Sequence, residues 1–409
     1  VLQGGVNRAE FREFQVNYTQ PDSAVLVAYV HYQPTFYGVG ASYVRIHHVN
    51  TNLAWVSGDF RSNGSGLHWS DSYISGYDTA LKVAGNGDTY RLTNVVTFAG
   101  YGATANQGTV YTSNAIGFSA VGSFLMVYGC LSLGKTGWVI DGNGGGEFSQ
   151  FANCGFDTSN GLSLSNFALV HIVNSYFTPG LLSTFWINSA DCNVLVENCY
   201  FSPNGSSATP LITATNGNVF IRNSIFNLAG MDVPLVNHTG SGNFAFTDNT
   251  LGGIDQTFTR SRLTIGNGIV STIQGNILSA LFGAHTGTFV TFTGGNSGPS
   301  VMTGNNLIGG NGTNAWAIAG ASLLISGVIK DNIGYNPVGL SAITVGASPF
   351  TYTAGSTSET VYISGGTVSL VKRGATTVAS ASPSTVELPP FGTVQVTYSV
   401  LPTMVKDIH

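Results

Sequence analysis

Apolar and polar residues alternate along this chain in short runs, and the runs recur. NVLVENCYFSPNG at 193–205 is followed twenty-five residues later by NVFIRNSIFNLAG at 218–230. Both read apolar, any, apolar, any, Asn, small, any, Phe, and then a turn containing Gly. Alternation with period two belongs to a strand whose two faces differ; a helix would need a period of about 3.6. With that Asn as position 0, the marker falls at His48, Asp71, Asn94, Tyr128, Asn153, Asn174, Asn198, Asn223, Asp248, Gly275, Gly304 and Asp331. The spacings are 23, 23, 34, 25, 21, 24, 25, 25, 27, 29 and 27, and the long gap holds GYGATANQGT, a loop insertion. Glu13, in FREFQV, fits one earlier turn.

The columns support this register. Position −2 is apolar throughout, from Ile46 and Trp69 through Met126 to Met302 and Ile329. Position +3 is mostly apolar and includes Phe156, Phe177, Phe201 and Phe226. Position +1 is small or polar and becomes Asn249, Asn276, Asn305 and Asn332, where the marker turns from Asn to Asp or Gly. Stacked amides at a bend can satisfy backbone groups that the bend leaves unpaired. The asparagines therefore read as scaffold, and their one-position shift predicts a change of turn shape near residue 248.

Repeated strands with aligned apolar columns and no helices predict an all-β fold, a right-handed parallel β-helix of about 12–13 coils over residues 1–345. Coils lie ~4.8 Å apart, so twelve make a rod of roughly 55 Å. The leucine-rich pattern is missing, and a propeller needs blades of about 40 residues or more. Beyond residue 345 the columns stop. FTYTAGSTSETVYISGG and the short strands that follow predict a small antiparallel β module over 346–409, ending in the tail LPTMVKDIH.

Composition narrows the function. Charged residues are only 8% and Gly is 54 of 409, yet the apolar runs are short, so no membrane-inserting segment is expected. The net charge of −5 and the absence of a basic patch argue against nucleic acid as a partner. Cys130, Cys154, Cys192 and Cys199 have no zinc-ligand spacing and read as buried thiols. Sequons at Asn17, Asn63, Asn204, Asn237 and Asn311 are expected by chance in so Asn-rich a chain. No phosphate loop, nucleophile elbow or zincin motif is present, and no cofactor is expected.

The opening GGVNRAEFREFQVNYTQPDS, the V-x-N-x-x-F coils and the C-terminal strands together resemble phage tailspike and tail-fibre proteins of the pectate-lyase-like superfamily. That resemblance implies a homotrimer at the virion tip that recognises, and often cleaves, host surface polysaccharide. Its β-helices usually open with a Gly-Asp-Gly…Asp-Asp segment and a helix, which this chain lacks. A preceding portion joining other tail proteins is therefore expected. Catalytic residues vary in place across the group, so the resemblance assigns none.

Residues flanking an inward column point outward. The outward positions of the first coils read Glu10 and Arg12, Arg45 and His47, His68 and Ser70, Arg91 and Thr93. In so uncharged a chain this is the sharpest local signal. The strip either holds an acidic sugar, since guanidinium binds carboxylate bidentately, or pairs its charges with Glu10, Asp59 and Asp88. Further along, Leu125, Val127, Leu195 and Phe220 read as outward and apolar, which suits a trimer seam or cover by the chain's own loops.

Glycoside hydrolysis needs two carboxylates about 5–9.5 Å apart. Asp141 and Glu147 flank GNGGG, where a glycine turn could fold them together. Asp59 and Asp88 lie on consecutive coils, and Asp191 and Glu197 share a coil. None is a compelling pair in one chain. A pair completed across a trimer interface, β-elimination at the arginine-histidine strip, and binding without catalysis all stay open. Three functions fit: a depolymerising tailspike, a non-catalytic glycan-binding tail protein, and a secreted polysaccharide lyase.

Overall fold

The structure is a computed structural model. It describes residues 2–408 apart from 4–7, 18–34, 40–42, 53–55, 62–65, 77–78, 86–88, 100–113, 121–123, 134–135, 158–159, 179–185, 204–207, 229–230, 254–258, 279–286, 295–299, 308–316, 320–327, 334–339, 356–357 and 390.

Strands of the alternating runs stack in parallel as a solenoid with no helix among the described residues. One unbroken ladder, here called sheet one, joins thirteen strands from Ala9–Asn17 to Val328–Lys330, each paired with the next. Sheet two runs alongside it, for example through Val56–Arg61, Ile187–Ala190, Ile212–Thr215 and Val236–Thr239. Sheet three is narrower and includes Tyr176–Thr178, Tyr200–Phe201 and Ile225–Asn227.

Sheets one and three meet at a corner made by one residue per coil. Those residues are Glu13, His48, Asp71, Asn94, Gly129, Asn153, Asn174, Asn198, Asn223, Asp248, Gly275, Gly304 and Asp331, all at positive φ. Side chains other than Asn, Asp and Gly rarely tolerate this left-handed conformation, because Cβ meets the following carbonyl. The marker Asn is thus conformational in purpose.

Two expectations fail here. The fourth marker is Gly129, not Tyr128: Tyr128 lies opposite Ala152 in the ladder, and Gly129 carries the positive φ. Consequently Leu125 and Val127 point inward and are fully buried, while Met126 and Tyr128 point outward. The shifted register also places Ser132, rather than Leu131, in the buried +3 column. Nor does the turn change shape near residue 248, since φ is 52° at Asn223 and 55° at Asp248. What changes is the side chain that serves the corner.

A left-handed corner leaves the next backbone N–H pointing along the rod without a ladder partner. The +1 side chain of the following coil accepts it. Cys154 N–H donates to Ser175 Oγ at 3.0 Å, Cys199 to Ser224 Oγ at 3.1 Å, and Ser224 to Asn249 Oδ1 at 2.9 Å. Asn249, Asn276 and Asn305 then donate in turn to Asn276, Asn305 and Asn332. The buried amide groups also donate back: Asn276 Nδ2 reaches the Phe246 carbonyl at 2.7 Å. Serine and asparagine do the same work, so the column can switch while the turn stays.

Inward positions form one continuous core. Phe156, Phe177, Phe201 and Phe226 stack face to face, with centroids 4.7, 4.9 and 4.6 Å apart, matching the coil spacing. All four cysteines are free and buried in this core.

Antiparallel pairing begins at Ser341–Ile343. Two four-stranded sheets follow: Ser341–Ile343, Thr403–Ile408, Glu359–Ser364 and Ser384–Leu388 in one, and Phe350–Thr353, Thr393–Val400, Thr367–Arg373 and Thr376–Ala379 in the other. Their inner faces share a second core around Val361, Val371, Val394 and Val396. Glu359 is buried there and held by Tyr352 Oη at 2.6 Å, the Gly355 N–H and Lys406 Nζ.

Candidate functional site

The outer face of sheet one brings the sequence-derived strip together. Glu10 lies opposite Arg45, Arg45 opposite His68, and His68 opposite Arg91, with Met126 next. Arg12, His47, Ser70 and Thr93 form the parallel column two residues along. Strand alternation alone puts these side chains outside, because Val44, Ile46, Leu67, Trp69, Tyr90 and Leu92 occupy the inward positions between them and are buried.

Arg45, His68 and Arg91 line a depression of about 710 Å³ that Arg8, Glu10, Tyr43 and Thr89 complete. Tyr43 is 59% exposed, so its ring is an open platform. The platform exists because the next coil has Gly66 there: a Cβ on Gly66 would stand 3.1 Å from the Tyr43 ring, and Gly66 itself sits at a φ of +87°. An exposed aromatic face beside guanidinium groups is suited to a sugar ring carrying a negative charge. Sequence reasoning passed over Tyr43. Its signal was an aromatic residue one coil from a glycine at the start of paired strands.

Charges on this face are partly arranged by one another. Glu10 Oε1 lies 2.9 Å from His47 Nε2, and this hydrogen bond is the main reason that the Glu10 carboxyl titrates below its usual range. His47 Nδ1 in turn lies 3.1 Å from His48 Nδ1. Burial, reinforced by Arg45 and Arg91 on either side, lowers the His68 pKa, so its ring is neutral near pH 7. Among the described residues neither Arg45 nor Arg91 has an ion-pair partner.

The carboxylate candidates Asp59, Asp141 and Glu147 lie on two strands, Asp59 in Val56–Arg61 and both Asp141 and Glu147 in Thr136–Ala152. Asp141 Oδ1 accepts from Ser165 Oγ at 3.0 Å and from Asn166 Nδ2 at 2.8 Å, a corner ladder that Asn216 and Asp191 repeat two coils on. Glu147 is exposed. Asp59 is buried at 2% exposure in sheet two, opposite Lys82 in the ladder, and faces no ligand-accessible surface. Asp88 lies outside the described residues. Among the described residues no group of His, Cys, Asp and Glu has the arrangement of a metal site.

A second polar row crosses the middle of the same face. Tyr128 Oη donates to Gln150 Oε1 at 3.2 Å, and Gln150 Nε2 lies 3.5 Å from His171 Nδ1. Glu197 Oε2 stands 3.5 Å from His171 Nε2 and 3.2 Å from the Arg222 guanidinium. The His171 contact is an ion-pair distance without hydrogen-bond alignment. Above this row Leu195 is half-buried and Phe220 is 36% exposed, so the apolar outward stretch is real but shorter than expected.

No family model matches the chain, and no curated protein matches it in sequence. Among solved structures it is similar to the tailspike of E. coli bacteriophage HK620, captured with a hexasaccharide, at 12% identity and a TM-score of 0.41, over 91% of this chain and 70% of that one. It is also similar to the tailspike of Pseudomonas phage LKA1, at 12% identity and a TM-score of 0.29, over 90% of this chain and 66% of that one. A tailspike of Acinetobacter baumannii bacteriophage Fri1, described as a capsular polysaccharide depolymerase, matches at 13% identity and a TM-score of 0.28, over 91% of this chain and 79% of that one.

Proposed function

We propose that this chain is a tailspike-type receptor-binding protein that holds host surface polysaccharide, capsule or lipopolysaccharide, on the outer face of sheet one. The observation that carries this is the in-register column Arg45–His68–Arg91 beside the exposed Tyr43 ring. Two guanidinium groups without an ion pair among the described residues stand there with His68 along one depression, free to meet an anionic ligand. The virion tip as location, a homotrimer with Leu195 and Phe220 on its seam, and attachment to other tail proteins belong to the same proposal.

The test is binding of purified bacterial capsular and lipopolysaccharide glycans by wild type and by the double variant Arg45→Ala, Arg91→Ala. Wild type should bind an acidic member of the panel. The variant should bind it at least tenfold more weakly, for two exposed charge-assisted contacts, with an unchanged melting temperature. Equal binding by both proteins would remove the assignment of this face.

Cleavage of the bound glycan is the second part of the proposal, and one observation favours it. Glu197, set between His171 and Arg222, is an outward carboxylate with an acid-base partner. The outward positions of neighbouring coils offer Gln150, Ala152, Val173, Leu195 and Phe220, none of them a second carboxylate. That supports elimination next to a uronate carboxylate over two-carboxylate hydrolysis within one chain. Unsaturated products absorbing in the ultraviolet would identify elimination, and new reducing ends without that absorbance would identify hydrolysis.

A further inference from the structure

The charges on the lower face of sheet one have a spacing as well as a sign. The column reads Glu10, Arg45, His68, Arg91, Met126, one residue per coil and each opposite the next. Within this column the cations occupy alternate coils, while Arg8 and Arg12 flank Glu10 two residues to either side. Two coils of a parallel ladder separate Arg45 and Arg91 by about 9.6 Å. The imidazole between them is neutral near pH 7, for the reasons given above. The column is bounded at one end by Glu10, whose carboxylate is engaged by His47, and at the other by the uncharged Met126.

One sugar of an extended β-linked chain is about as long as one coil of the solenoid is tall. A glycan laid parallel to the rod then meets one outward residue of the column per sugar. We infer that the column selects a glycan whose anionic group faces the sheet on every second sugar, the intervening sugar being neutral on that side. This deepens the glycan-binding role proposed above and rests on it.

The side chains of the column fit that register. Arg45 and Arg91 each take one carboxylate, and the planar guanidinium can do so through two parallel hydrogen bonds. His68 offers a ring nitrogen to a hydroxyl or an acetamido group of the sugar between. In the adjoining column Ser70 and Thr93 offer hydroxyls on the His68 and Arg91 coils. A carboxylate opposite His68 would find no cation in the column. The column thus discriminates by what it withholds as well as by what it offers.

The experiment moves a charge without changing the total. Arg91→Gln combined with His68→Arg keeps two cations but puts them on adjacent coils. Arg45→Gln combined with Met126→Arg does the same from the other side, so the test survives the failure of either variant to fold. Melting temperatures report which variants are intact. The probe is a hyaluronan octasaccharide, in which uronate and neutral amino sugar alternate, with a neutral dextran oligosaccharide as control. Wild type should bind hyaluronan, and both relocated variants should bind it about tenfold more weakly, as weakly as Arg91→Gln alone.

Relocated variants that bind as tightly as wild type would show that total charge matters and spacing does not. That result would overturn the inference and leave the proposed glycan face intact. Dextran bound as well as hyaluronan, with Arg45→Gln and Arg91→Gln both without effect, would overturn the proposed face itself. Hyaluronan left unbound by the wild type would overturn the alternate-sugar register.

Discussion

Asn276 Nδ2 donates to Asn305 Oδ1 at 2.8 Å, across one coil of the solenoid and out of reach of solvent. The same Asn276 uses its Oδ1 to accept the backbone N–H of Asn249 at 3.0 Å. Removing the amide therefore strands more than one buried group. Asn276→Leu should lower stability by about 3 kcal/mol, the usual cost of leaving two buried polar groups unmet. Asn276→Ser should lose less, because serine accepts the equivalent N–H at Ser175 and Ser224 in the lower coils. Denaturant midpoints of the two variants check this, and an equal loss would mean that packing volume dominates.

Thiol chemistry tests the depth of the same corner column. Burial raises the Cys130 thiol to about 12 and Cys199 to about 11, and Cys154 is pushed up as well. Thiolate is the reactive form, so all three are inert at neutral pH. Cys192 is raised by the same cause. A thiol-specific disulfide reagent should label none of the 4 cysteines in native protein and all of them in denaturant. Rapid labelling of Cys130 in the folded protein would contradict the inward register set by Gly129.

His238 makes stability depend on pH. It is fully buried against Phe244, and neither ring nitrogen has an aligned hydrogen bond among the described residues. Burial lowers its pKa, outweighing the nearby Gly217 and Asn216 carbonyls, which favour the proton. The unfolded chain takes up this proton near the ordinary value of 6.5 while the native state refuses it. Stability is therefore complete above that pH and falls as pH drops below it, down to the lowered native pKa. His238→Leu should flatten the loss of melting temperature between neutral and mildly acid buffer. An unchanged slope would assign the effect to other groups, His68 first.

The solenoid was legible because one side of every strand must be apolar, and a period of two repeated near 25 residues leaves few alternatives. Register failed only where alternation could not decide it. At Met126-Val127 two adjacent residues are both apolar, so either can be taken as inward, and the preceding insertion removes the spacing that would arbitrate. The column from Glu10 to Arg91 was legible because an outward position follows directly from its inward neighbour. Tyr128 was not, because the repeat pattern placed it at the corner, and its contact with Gln150 runs diagonally between two columns of the sheet. Asp141 looked available for chemistry because a sequence does not show which turn carboxylates are already occupied by the next coil.

The Tyr43 platform leads to a prediction about binding alone. Its ring packs over Gly66 and is otherwise open, so it contributes little to the core. Tyr43→Ala should weaken binding of an acidic oligosaccharide severalfold, about 1 kcal/mol for a lost aromatic face, without moving the melting temperature. Gly66→Ala should impair both, because its backbone is left-handed and the new Cβ meets the ring. Binding by Tyr43→Ala equal to wild type would restrict the site to the guanidinium column.

Glu197 separates binding from cleavage. It lies on the strand Val194–Glu197, four coils beyond Arg91 along sheet one. Glu197→Gln keeps the shape and a hydrogen-bond acceptor for Arg222 but removes the charge that faces His171. If this row performs acid-base chemistry, turnover of a cleaved glycan should fall about 100-fold or more while affinity at the Arg45–Arg91 column is retained. His171→Ala should match it, and the double variant should be scarcely worse than either single one, because the two act as a unit. Full turnover in Glu197→Gln would move the chemistry elsewhere, and a carboxylate contributed by a second copy of the chain would become the candidate to test.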